Sequence, residues 1–280
     1  MSRLARSLSA EFRKVRATKL WWILAVVLLG YSAMMAAMFA FIFGAMLDEL
    51  AGAGAESASL SAQSIADLVY ASVTTFGYVI PLLFGALMAT GELRHRTLGL
   101  AFTLEPKRGI VLLSKAIVLL AYGVVIGVAG LIGAVGAGAP LLAATGGDPM
   151  LGSADTWALM VRVLAAIGIW ALIGFGIGVL VRNQAFAIVL ALVFTQFIEP
   201  VLRTGAQFWE WSAQAAKFLP GSATDAFVGA SVMNDLSAFD PSAPQAAEPL
   251  GIWGGLAVLV SYAVVAIVAG WALRWRRDID

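Results

Sequence analysis

Residues capable of catalysis are scarce in this chain. It has one His, His95, and no Cys. A single His cannot build a HExxH zinc site or a Ser/His/Asp triad, and without Cys there is no thiolate nucleophile, disulfide or thiolate metal site. A Ser/Lys dyad would need Lys115 or Lys217 to meet a serine, and neither sits in a local signature for that chemistry. No GxxxxGK[ST] loop is present, so the chain has no phosphate cradle for ATP. We expect no catalytic residue and no metal ligand set.

What remains are charged and polar groups set among apolar runs. Arg162 lies inside the fourth apolar run, where it either snorkels outward or pairs with Asp155 or Glu199. Thr195, Gln196 and Glu199 close the fifth run and are candidates for lining a polar route. A proton-coupled carrier is expected to bury a carboxylate near mid-membrane, and the sequence places none there clearly.

These groups need a bilayer to position them. Of 280 residues 61% are hydrophobic and 12% charged, half the charge of a soluble domain. Mean hydropathy is +0.89. A spanning helix takes about 20 apolar residues. Six runs qualify or nearly so: Trp21 to Met46, Leu68 to Thr90, Ile110 to Ala134, Trp157 to Val181, Ala185 to Ile198 and Leu250 to Leu273. The first is too long for a signal-peptide core and lacks a small-residue cleavage pattern, so it reads as a retained helix. The fifth, at about 14 residues, spans only about 21 Å and looks truncated before Glu199 and Pro200. Glycines in the third run (Gly123, Gly127, Gly130, Gly133) and the fourth (Gly174, Gly178) read as small-residue helix packing.

Lys and Arg collect on one side of this six-span layout: Arg3, Arg6, Arg13, Lys14, Arg16 and Lys19 before the first run, Arg94, Arg96, Lys107 and Arg108 after the second, Arg182 after the fourth, and Arg274, Arg276 and Arg277 after the sixth. The opposite loops, Leu47 to Asp67 and Ala137 to Thr156, carry acids and no Lys or Arg. The positive-inside bias puts both termini in the cytoplasm. Leu4, Leu8, Phe12 and Val15 share one helical face within residues 1–20, an amphipathic helix expected to lie on the inner leaflet as an elbow before Trp21 and Trp22. Residues 199–249 mix acids with Phe208, Trp209, Trp211, Phe218 and Phe227, and are read as short re-entrant helices dipping into the outer leaflet. The expected fold is an all-α membrane protein of one domain, residues 1–280: six transmembrane helices, an N-terminal amphipathic elbow helix, and short outer re-entrant helices between helices 5 and 6.

The segment GELRHRTLGLAFTLEPKRG, residues 91–109, stands out. Its basic residues serve topology, but topology does not call for Leu98, Leu100, Phe102 and Leu104 among them. Apolar groups between charges suit a surface covered by another protein.

Three stretches together resemble the permease subunits of type-2 ABC exporters. EFRKVRATKLWW resembles that family's charged elbow followed by Trp, matched at Glu11, Arg13, Lys14, Arg16, Trp21 and Trp22. Residues 91–109 resemble its first cytoplasmic loop, matched in order at Glu92, Arg94, Thr97, Pro106, Lys107, Arg108 and Lys115, with a departure at Arg96, where the family commonly has Gly. FLPGSA, with Leu219, Pro220 and Gly221, resembles its outer Leu-Pro motif. The resemblance implies a half-transporter in a bacterial inner membrane, paired with a second permease chain, identical or related. Separate ABC ATPase subunits would carry ATP and Mg, leaving this chain without a cofactor. Residues 91–109 would be the ATPase-coupling loop, with Glu92, Arg94, Arg96, Thr97, Leu98, Leu100 and Phe102 as its contacts. Membrane lipid is the other expected neighbour, and nucleic acid is not. Two other classes remain open on the residues alone: a membrane-embedded enzyme acting on lipid or peptide, and a non-transporting scaffold or immunity protein.

Overall fold

The computed structural model describes residues 3–52, 61–75, 77–94, 107–181, 183–206, 210–230 and 249–275, all helix or connecting turn with no strand among them. Eleven α-helices are described: α1 (Arg3–Ala17), α2 (Leu20–Gly52), α3 (Ala62–Thr75), α4 (Val79–Arg94), α5 (Arg108–Ala144), α6 (Ala154–Leu180), α7 (Gln184–Val193), α8 (Glu199–Gly205), α9 (Glu210–Ala216), α10 (Pro220–Val228) and α11 (Ile252–Gly270). Among the described residues six stretches are long and apolar enough to cross a bilayer: Leu20–Gly44, Ala62–Glu92, Arg108–Ala144, Ala154–Leu180, Gln184–Gly205 and Ile252–Leu273. The chain is a six-span, multi-pass membrane protein.

Burial divides the spans. In its most apolar window the fourth is 72% buried and the second 71%, against 22% for the fifth and 17% for the sixth. The second and fourth therefore form the core, and the others turn apolar faces outward, as at Phe41, Val189, Val201, Trp253 and Val265. α2 runs along α5, α4 along α6, and α11 along α6. The glycines make these approaches possible. A Cβ on Gly174 would collide with the Leu82 carbonyl, and one on Gly85 with the Ala171 carbonyl, so α4 and α6 each present a glycine to the other's backbone.

Proline acts on two spans in different ways. Pro81 has no N–H for the Gly77 carbonyl, which takes the Ile80 N–H instead at 3.0 Å. The second span therefore divides into α3 and α4 around Gly77 and Tyr78. The fifth is longer than its apolar run suggests. It does not stop before Glu199 and Pro200, because the backbone widens to a π-turn at Phe194–Ile198 and continues as α8. The Glu199 N–H reaches back to Phe194, and Pro200 falls in the first turn of α8, where its fixed φ suits a helix. This corrects the expected 14-residue truncated span, and it moves Glu199 from an outer loop into the membrane helix. The third span is also longer than expected: α5 runs on to Ala144 through Pro140.

Between the fifth and sixth spans, α9 and α10 are short helices, and α10 packs on α11 and α6. α10 opens on Pro220 and ends at Gly229, whose φ of 88° is a left-handed conformation that glycine adopts without strain.

Candidate functional site

At the end of the bundle where α1, the end of α4 and the start of α5 meet, four charged side chains form one cluster. Lys115 Nζ donates to Glu11 Oε2 at 2.6 Å and to Glu92 Oε1 at 2.7 Å. Lys14 Nζ donates to Glu11 Oε1 at 2.7 Å and reaches Glu92 Oε1 at 3.4 Å. Two ammonium groups thus interleave with two carboxylates, for a net charge of zero. The side chains of Lys115 and Glu11 are 4% and 5% exposed, that of Lys14 43%. Lys115 is therefore the enclosed centre of the cluster and Lys14 its solvent-facing edge.

Local sequence explains how these groups meet. On α1, Leu8, Glu11 and Val15 follow at spacings of three and four and share one face, which packs on α5. Val15 is buried at 2% exposure and Leu8 and Leu4 are half-buried. Phe12 lies at the edge of the contact, 47% exposed with its ring 5.4 Å from that of Tyr122. The apolar stripe expected on α1 thus carries an acid, Glu11, in its buried part. Ser7 Oγ, 2.6 Å from Ser114 Oγ, makes a second tie between α1 and α5.

Charge state follows from this geometry. Burial alone would raise the Glu11 pKa, but Lys115 and then Lys14 outweigh it and hold the carboxyl below the usual value. Burial would lower that of Lys14, and Glu11 with Glu92 outweighs it to raise the ammonium above the usual value. Lys115, directed at two carboxylates, is an ion-pair partner and is aimed at no serine in a dyad.

Of the residues expected to contact an ATPase, Glu92 is placed in this cluster, and Arg94 ends α4. Arg96, Thr97, Leu98, Leu100 and Phe102 lie outside the described residues. What is described is the stem of the 91–109 segment, Glu92 on one side and α5 on the other, clamped together and to α1 by Lys115. Sequence reasoning had Glu11 and Lys115 as motif matches without contacts. The spacing of Glu11 from Leu8 and Val15 was the available signal that it faces inward.

A second polar constellation lies deeper in the bundle, about the middles of the second, fourth and fifth spans and the α10 helix beside them. In a π-turn the Thr195 carbonyl would accept from residue 200, which is Pro and has no N–H, while the Glu199 N–H is taken by Phe194. The Tyr78 hydroxyl supplies the missing donor to Thr195 O at 3.2 Å. The Tyr78 ring stacks on Trp170 at 4.3 Å, and Trp170 Nε1 donates to Thr224 Oγ1 on α10 at 2.9 Å. Glu199, fully buried, accepts the Gly221 N–H in the first turn of α10, and Arg203, one turn on, pairs with Asp225. At the far end of α10 Arg162 Nε donates to Val228 O at 2.9 Å.

Arg162 therefore neither snorkels freely nor pairs with Asp155 or Glu199. It meets the carbonyl end of α10, where the helix dipole is negative, while Glu199 meets the amide end, where it is positive. The two residues complement the dipole at both ends. Of the expected pathway residues, Thr195 and Glu199 face inward, toward Tyr78 and α10. The Thr195 hydroxyl bonds back to Ala191 O at 2.7 Å, and Gln196 beside it is half-buried. Among the described residues no group of three or more His, Asp or Glu could hold a metal ion.

No curated protein matches the chain. The family description "ABC-2 family transporter protein" matches residues 7–197, a stretch that contains the whole ion cluster, the first four spans and the fifth as far as its π-turn. That match covers well over half of the sequence, and the six-span helical architecture agrees with it: the chain belongs to the ABC-2 transporter family, as a membrane component of such a transporter.

Proposed function

We propose that this chain is the permease subunit of an ATP-driven exporter in a bacterial inner membrane. Two such chains, identical or related, form the substrate pathway, with both termini of each in the cytoplasm. Separate ABC ATPase subunits hold ATP and Mg and dock on residues 91–109. The observation that supports this best is the cluster at the stem of that segment. A docking loop passes force into the bilayer only if its stem is stiff, and here Lys115 bonds the last turn of α4, the second turn of α5 and α1 into one unit. A displacement of the loop then moves the second and third spans and α1 together, where an unclamped loop would absorb it. The clustered positive charge of the loops on this side agrees with a cytoplasmic placement.

The test is co-expression with an ATPase carrying a GxxxxGK[ST] loop. A stable complex is expected with the unaltered chain and its loss with the charges of Glu92 and Arg94 reversed. Lys115→Met, which leaves the loop surface intact, is expected to retain the ATPase but to lose coupling: ATP is hydrolysed without ATP-dependent movement of substrate in proteoliposomes. Normal assembly of a chain lacking residues 91–109 would refute the docking assignment. Activity in liposomes without nucleotide would point to a membrane enzyme instead.

A further inference from the structure

In the first cluster both carboxylates are ion-paired with Lys115. Glu199 meets the first turn of a helix instead. Glu199 is 0% exposed, yet only Oε1 is satisfied, by the Gly221 N–H. Oε2 has no hydrogen-bond partner among the described residues. The Ser222 N–H, next in the first turn of α10, also faces the carboxylate, and the side-chain donors around it are directed elsewhere. Tyr78, from the junction of α3 and α4, gives its hydroxyl to Thr195 O, and Tyr262 of α11 gives its own to Phe218 O at 3.1 Å. Arg203, on the same helix as Glu199, is paired with Asp225 of α10. Trp170 of α6 donates to Thr224, and Arg162 of α6 is at the other end of α10. Lys217 stands in the turn that leads into α9's successor, α10.

An ionised carboxylate in such a place is stabilised by the amide end of α10 and destabilised by burial with a bare oxygen. The neutral acid reverses both effects, since it is cheaper to bury but attracts the helix end less. The two forms therefore differ in how firmly they hold α10. A metal ion is a poor occupant, because a backbone N–H points at Oε1 and a guanidinium lies one helical turn away. The small ligand this carboxylate can take is a proton.

We propose that Glu199 is a proton-binding site that controls the docking of α10: ionised, it anchors the N-terminus of the helix, and protonated, it releases it. The added proton forms an O–H bond at Oε2 and comes from water. No bond in the chain breaks, and the Gly221 N–H contact loses its charge assistance. The other end of α10 stays bonded to Arg162, so the helix loosens at its Leu-Pro-Gly end while remaining attached to the fourth span. Gly221 is suited to the arrangement, for a Cβ there would sit 2.5 Å from Glu199 Oε1. The inference is independent of the coupling reading, and its test contains no ATPase.

The test uses the full chain in lipid nanodiscs. Infrared difference spectra between neutral and acid pH are expected to show the carbonyl stretch of a protonated carboxyl in apolar surroundings. That band should vanish in Glu199→Gln and persist in Glu11→Gln and Glu92→Gln. In parallel, hydrogen exchange over 220–228, referenced to 154–180 to remove the intrinsic pH dependence, should lose about tenfold in protection on acidification. In Glu199→Gln protection should be low at both pH values. Gly221→Ala keeps the carboxyl but displaces it, so the band should move to a different pH there. That second variant decides the matter if Glu199→Gln does not fold. A band that survives in Glu199→Gln, one whose pH is unchanged in Gly221→Ala, or protection of α10 that does not follow the protonation overturns the proposal.

Discussion

Replacing Lys115 with Met removes the charge at the centre of the cluster and nearly preserves its volume, so the loss is electrostatic rather than a cavity. Each of the two contacts, at 2.6 and 2.7 Å, has a gross Coulomb attraction of about 6 kcal/mol at an effective dielectric constant near 20. Most of that is offset by the cost of taking the charges out of water. Removing one member of a buried pair leaves the other unmatched, at a net cost of about 3–5 kcal/mol. Lys14 stays within reach of both carboxylates, which puts the expectation at the lower end, about 3 kcal/mol. Lys14→Met is the control. Its side chain is 43% exposed, and its removal is expected to cost about 0.2–1 kcal/mol. The assay is reversible unfolding in mixed micelles, titrated with SDS. Adding Glu11→Gln to Lys115→Met should restore part of the stability, because the unmatched carboxylate is what costs. If Lys115→Met loses no more than Lys14→Met, or if the added Glu11→Gln destabilises further, the cluster is not the clamp described here.

Two further outcomes follow from the same geometry. Glu11 has its pKa held below the usual carboxylate value, so its contribution is complete above that value and is lost as pH falls through the lower folded one. Lys14 has its pKa raised, so its contribution is complete below the usual lysine value and is lost as pH rises through the higher folded one. The unfolding midpoint should therefore hold steady around neutral pH and fall on acidification, with a shallower acid limb in Glu11→Gln. Deeper in the bundle, Tyr78→Phe removes the hydroxyl that donates to the Thr195 carbonyl, whose donor five residues on is lost at Pro200. A loss of about 1–3 kcal/mol is expected in the same unfolding assay, with the largest rise in hydrogen exchange in the fifth span.

Much of this molecule is legible in one dimension because a bilayer imposes simple terms. Hydrocarbon rewards long apolar runs and forces their backbones into helices, so six spans and their order can be read from composition. The glycine ladders announce close approach, which the α4 and α6 backbones then make. Charge asymmetry between loops is likewise a property of the chain and not of its folding. Proline misled the reading of the fifth span: a break after Ile198 was the expectation, but a π-turn and a borrowed tyrosine hydroxyl carry the helix through Pro200.

The amphipathic pattern of α1 was legible as a pattern, yet the buried position of Glu11 depended on what stood opposite. Its partner Lys115 is 104 residues away along the chain, Glu92 shares that lysine from another helix, and no local rule brings the three together. The same holds for Arg162 and Glu199. Each is an isolated charge in an apolar run, and only the placement of α10 between them makes one a partner for its carbonyl end and the other for its amide end. By itself the sequence determined that this chain spans a membrane six times and which loops share a side, because hydropathy and loop charge act locally along the chain. The tertiary structure alone decided which buried charges meet, because that depends on helices packing side by side, and a charge inside the bilayer is tolerated only where such packing brings it a partner.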